Sequence, residues 1–230
     1  MMFTTHIHIG QFLHEQLTKQ VIDSFQVNRR AFIYGNIKPD ITRMVFYKHQ
    51  ITAVFDLFCK QVDIAKDVTR SDWHRSIALG VVSHFLCDFF CKFHAKNPYK
   101  ESSKWTHFWY EWDLHHIVLQ DLIVRTSSET QYISDPLIHQ SSFSNNNGYF
   151  DGLSKEKSNY QYLVDLINHY CSKKENTTVD KDFAFYAINE TFEKILGIEL
   201  FMIKENNVQN YNDHFESPED TAFLNGKAVF

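Results

Sequence analysis

The chain has 230 residues and 27.3 kDa, of which 43% are hydrophobic and 16% aromatic, so it is long and apolar enough to bury a sizeable core and is not a disordered chain. Its 7 Gly and 4 Pro fall short of the roughly 16 and 11 that average usage would give, which argues against a turn-rich sandwich or barrel. A formal net charge of −5 offers neither a basic field for duplex nucleic acid nor a polybasic membrane anchor.

Helices are therefore the expected elements, and they follow in chain order. The opening stretch MMFTTHIHIGQFLHEQL has no Lys or Arg ahead of its apolar residues and three His among them. It fails as a secretory signal, and a cytoplasmic location is expected. Ile9, Phe12, Leu13, Leu17, Val21 and Ile22 form a helical stripe that predicts a helix over 9–26. Gly35-Asn36 and Pro39 in FIYGNIKPDITR predict a non-helical turn. Val45, Phe46, Ile51, Val54, Phe55, Phe58 and Val62 predict a helix over 43–65, and Ser71 and Asp72 are cap candidates for the next.

Residues 73–95 are apolar nearly all round, as expected of a helix buried on every side. The run from Ile77 to Phe93 holds His84, Asp88 and Lys92, so it is too short and too charged for a membrane span. The four Cys form no CxxC pair, and Cys87 and Cys91 are expected to be reduced and packed as small apolar groups. A further helix is predicted over 104–125, with Trp105, Trp109 and Trp112 in the core. Residues 126–159 are polar and read as a long loop. Helices near 160–172 and 181–204 complete a single all-α, multi-helix domain over 1–204, followed by a polar tail over 205–230.

His84 and Asp88 stand four apart and share a helix face, about 5–6 Å apart at Cβ. A lone carboxylate in an apolar helix costs several kcal/mol, so Asp88 requires a cationic partner. Taken alone, the pair reads as structural. It does not stand alone, because His94 follows and His107 and Glu111 repeat the spacing among aromatics. Asp40, His49 and His6 lie earlier in the chain, and imidazole with carboxylate is the ligand set expected for zinc. The ordered set therefore reads as a metal cluster. His14, His74, His139, His169 and His214 read as surface or capping residues.

The order H…D…H…HxxxDx5H…HxxxE resembles the zinc-dependent phospholipase C family, all-α enzymes related to fungal single-strand nucleases. The segments that carry the resemblance are LGVVSHFLCDFFCKFHA (Leu79 to Ala95), HFWYE (His107 to Glu111) and YGNIKPD (Tyr34 to Asp40), within about residues 6–115. The resemblance implies two zinc ions, with a third as a further option. His49, His84 and Asp88 would hold one, and His94, His107 and Glu111 a second. Asp88 would bridge to the third, with a terminal amine and His6, or alternatively His8. Asp40 matches the family's proposed general base, and Phe46 an aromatic of its substrate site.

Two departures shape what is carried over. Secreted members expose a terminal Trp as a chelator, whereas this chain begins Met-Met-Phe; a third site that is weak, absent or completed by water is expected. Ile41 stands where choline-handling members have an aromatic, so the head group is left open. The short step from His94 to His107, and Glu at 111, favour the phospholipase branch over the nuclease branch. The resemblance thus implies hydrolysis of a phosphoester, such as one bearing a phospholipid head group, by a metal-activated water. The alternatives are a metal-stabilised protein that binds a phospho-ligand or partner without catalysis, and a nucleotide phosphodiesterase. Each neutral His ligand needs a partner for its second ring nitrogen, so buried carbonyls or carboxylates are expected behind them.

Overall fold

The computed structural model describes residues 1–19, 26–42, 51–95, 104–127, 160–172, 176–194 and 197. Among these are eight helices and no strand: α1 (Phe3–Lys19), α2 (Arg29–Ile41), α3 (Ile51–Lys66), α4 (Asp72–Phe89), α5 (Lys92–Ala95), α6 (Lys104–Ser127), α7 (Gln161–Ser172) and α8 (Thr177–Lys194). The all-α fold is the one composition predicts. The proposed tail over 205–230 and nearly all of the polar segment 126–159 lie outside the described residues, as do His49 and Phe46.

α4 is the centre of the bundle, packed by α1, α2, α3 and α8. From Ala78 through Phe89 every residue is buried, as its unbroken apolar sequence requires. Phe55 and Phe58 of α3 pack on Phe89 at ring distances of 6.4 and 5.5 Å. α1 begins earlier than its apolar stripe alone predicts, and His6 lies on the same buried face as Ile9, Leu13 and Leu17. His14 is also buried, contrary to a surface assignment, and its Nε2 lies 3.3 Å from the Val27 carbonyl.

The segment predicted as a turn is instead helix α2 as far as Ile41. Asn28 caps its start by accepting a hydrogen bond from the Ala31 N–H at 3.1 Å, and Pro39 sits inside the last turn. Gly35 serves helix packing rather than turning. A Cβ there would lie 2.2 Å from the Ile77 carbonyl oxygen, and one on Gly80 would lie 2.2 Å from the Phe32 carbonyl oxygen. The two glycines face each other, so α2 and α4 touch backbone to backbone. A glycine needed for close approach and one needed for a turn look identical in sequence. Gly80→Ala is expected to destabilise the protein by about 3 kcal/mol or more, the upper range for overpacking, because backbone rather than a yielding side chain is struck. Chemical denaturation checks this, and an unchanged midpoint would refute the close crossing.

The single helix predicted over 73–95 is broken. α4 ends at Phe89, the Cys91 N–H donates to the Asp88 carbonyl at 3.0 Å, and α5 restarts at Lys92. Ser71 does occupy the N-cap of α4, but its side chain makes no capping bond and its Oγ instead lies 2.8 Å from His74 Nδ1. On α6 the expectation of a buried Trp group fails: Trp105, Trp109 and Trp112 are all exposed. They line one face with Phe108, while Leu114, Val118 and Leu122 face the core beside His107 and Glu111.

Candidate metal centre

Imidazoles and carboxylates from α1, α2, α4, α5 and α6 converge in the interior. His6 and His84 are buried, and their rings stack with centroids 3.9 Å apart. Asp88, also fully buried, lies between the neighbouring groups. Its Oδ2 is 3.2 Å from His84 Nε2, and its Oδ1 is 3.3 Å from His6 Nε2. Asp40, in the last turn of α2 rather than in a turn between elements, brings Oδ1 to 3.8 Å from His84 Nε2.

The break after α4 swings His94 toward α6. There Glu111 Oε1 lies 3.1 Å from His94 Nε2 and 2.8 Å from His107 Nε2. The Met1 amine joins the two halves, at 2.8 Å from Asp88, 3.0 Å from His94 and 3.1 Å from Glu111. Among the described residues, two groups have donor atoms mutually within 4.8 Å: His6, His84 and Asp88, and Cys91, His94 and Glu111. His8, in contrast, is exposed and faces His115 at a ring distance of 5.9 Å.

The expected partner behind a ligand-type imidazole is present at His84. Its Nδ1 donates to the Asn36 main-chain carbonyl at 2.8 Å, which fixes the tautomer and leaves Nε2 directed at the carboxylates. That contact depends on the Gly35–Gly80 crossing, and Gly10 leaves room beside it for the Asn36 side chain. Cys91 is buried and forms no disulfide, as expected. Its Sγ nevertheless belongs to the donor group of His94 and Glu111, a role its apolar flanks conceal.

Electrostatics keeps the imidazoles and Glu111 in ligand form, whereas burial pushes the Cys91 thiol up and holds its proton. Burial, reinforced by the adjoining His84, pushes His6 down to about 4, so its ring is neutral near neutral pH. Burial likewise lowers His94. For Glu111 burial acts upward, but the nearby ammonium and the His107 and His94 contacts outweigh it and hold the carboxyl well below its usual range. The unfolded chain therefore binds more protons at His6 between its ordinary 6.5 and about 4, so stability is present above that window and falls with pH through it. Chelator-treated protein should lose thermal stability progressively across that interval, and His6→Gln should flatten the loss. A flat melting temperature would show His6 to be solvated.

The donors' own bonding fits zinc. Neither ring nitrogen of buried His6 makes a well-aligned hydrogen bond, although imidazole atoms in an apolar interior require partners. Neutral nitrogen donors and carboxylates are the chemistry zinc selects.

A bundle of helices that gathers His and acidic side chains into its core offers a candidate metal centre. The chain belongs to the zinc dependent phospholipase C family, whose model matches residues 5–184. The match runs well past the motif-bearing region into α8. No curated protein and no solved structure matches the chain. No helix among the described residues is long and apolar enough to cross a membrane.

Proposed function

We propose that the protein is a metal-dependent phosphodiester hydrolase of phospholipase C type. The observation that carries this reading is the convergence of His6, His84, Asp88, His94, His107 and Glu111, from four separate helices, on one interior site. His84 and Asp88, with His49 as the family resemblance implies, would hold one zinc. His94, His107 and Glu111 would hold a second, and His6 with Asp88 would contribute to a third where one binds. Bound zinc lowers the pKa of water toward 7 and neutralises charge on phosphate oxygens.

The protein's own side chains supply the rest. The Asn36 carbonyl and the His6 stack hold His84 in place. Asp40, with a side chain 21% exposed at the edge of the cluster, orients the attacking water and accepts its proton. The substrate is a phosphoester, and Phe46 is assigned to contact it. The purified protein should carry about two equivalents of metal or more, as a two-metal phosphoesterase does, and should hydrolyse bis-p-nitrophenyl phosphate. Chelation should abolish turnover and zinc should restore it. Absence of metal sinks the proposal, whereas metal without turnover makes the protein a metal-stabilised binder of a phospho-ligand or partner.

A further inference from the structure

Among the described residues outside the donor cluster, the most connected buried carboxylate is Asp180, in the first turn of α8. It is 0% exposed. Its Oδ2 accepts from the Lys92 main-chain N–H at 2.9 Å and from the Tyr110 hydroxyl at 2.6 Å, and its Oδ1 accepts from the Tyr170 hydroxyl at 2.6 Å. These donors come from three different elements, α5, α6 and α7. A carboxylate removed from water is held by such charge-assisted bonds, and it in turn fixes the elements that supply them.

Two of the three bonds lead straight to the metal centre. Lys92 opens the single turn that carries His94, so the main-chain bond sets where that turn begins. Tyr110 precedes Glu111 on α6 and meets the Phe93 ring edge-on at 5.2 Å. Phe93 in turn stacks on His107 with centroids 4.6 Å apart and planes 20° apart. His94 is thus two residues from Lys92 and Glu111 one from Tyr110, while His107 is reached from Tyr110 through two ring contacts by way of Phe93. The third bond, to Tyr170, leads away into α7.

We infer that Asp180 is a positioning residue for the His94–His107–Glu111 metal site, locking the α5 turn to α6 so that the three donors are registered before metal binds. The inference rests on the metal reading of these donors given above. Partners that orient metal ligands typically govern about 10–100-fold in metal affinity.

The test is zinc affinity, measured by competition of the full chain with a chromophoric chelator, alongside thermal melts. Asp180→Asn should weaken one class of site by about 10–100-fold and leave the other unchanged. Tyr110→Phe should weaken the same class in the same direction. Tyr170→Phe removes the bond that does not reach the centre, and should lower the melting temperature while leaving zinc affinities intact. Should Asp180→Asn fail to fold, the contrast between the two Tyr variants decides the matter. Equal affinities in Tyr110→Phe and wild type, or equal weakening by both Tyr variants, would reduce Asp180 to general core stability and overturn the inference. Wild-type protein that binds no zinc would instead overturn the functional reading beneath it.

Discussion

Asp88→Asn is expected to strip the protein of metal and to unfold it more readily. The native carboxylate faces His84 through one oxygen, and His6 and the Met1 amine through the other, with no solvent to replace it. An amide supplies one oxygen and two N–H groups. It cannot neutralise the buried ammonium, and its N–H side offers no lone pair to a metal. Breaking a buried charge pair by removing one partner costs about 3–5 kcal/mol, and loss of bound metal adds to it. Metal content by elemental analysis and melting in the presence of zinc check the result together. Unaltered values for both would show that Asp88 neither holds metal nor balances its surroundings.

Asp40→Asn separates catalysis from metal binding. Asp40 is at the rim, 3.8 Å from His84 Nε2, and its side chain reaches solvent as those of His6, His84 and Asp88 do not. The substitution keeps the side chain's size, so zinc content should hold. General-base loss typically costs about 10²–10⁴ in rate, and kcat on bis-p-nitrophenyl phosphate should fall by that order. Metal lost in step with activity would make Asp40 a ligand. Full activity would show that the water needs no base. The residue's place within α2 sharpens the comparison, since a variant that merely frayed the helix end would lower the melting temperature without affecting kcat selectively.

The parts of this site that were legible in the sequence are those written in helical spacing. His84 with Asp88, and His107 with Glu111, are each four apart and need only a continuous helix to share a face. Other parts depend on neighbours distant in sequence. Gly35 and Pro39 suggest a turn by local preference, and only the opposing Gly80 shows why a helix passes there. Trp105, Trp109 and Trp112 suggest core by hydrophobicity, but their spacing puts them on the face of α6 turned from Leu114 and Val118. Asp180, followed by Lys181 and Asp182, looks like any solvated acid. Its burial comes from tyrosines 70 and 10 residues away.

The partner that orients His84 is a main-chain carbonyl, and no side-chain replacement at Asn36 can delete it. The imidazole's direction is thereby inherited from the course of a helix, which makes it insensitive to substitution at the contact itself. Vulnerability is displaced to positions that carry no functional group whatever. In a saturation scan scored for turnover, Gly35 and Gly80 should therefore score as severely as ligand positions, while Asn36 is judged by how its side chain fits beside Gly10. A map of intolerant residues would then trace a crossing of two backbones, and chemistry-based reading of that map would overlook the two smallest residues on which the site depends.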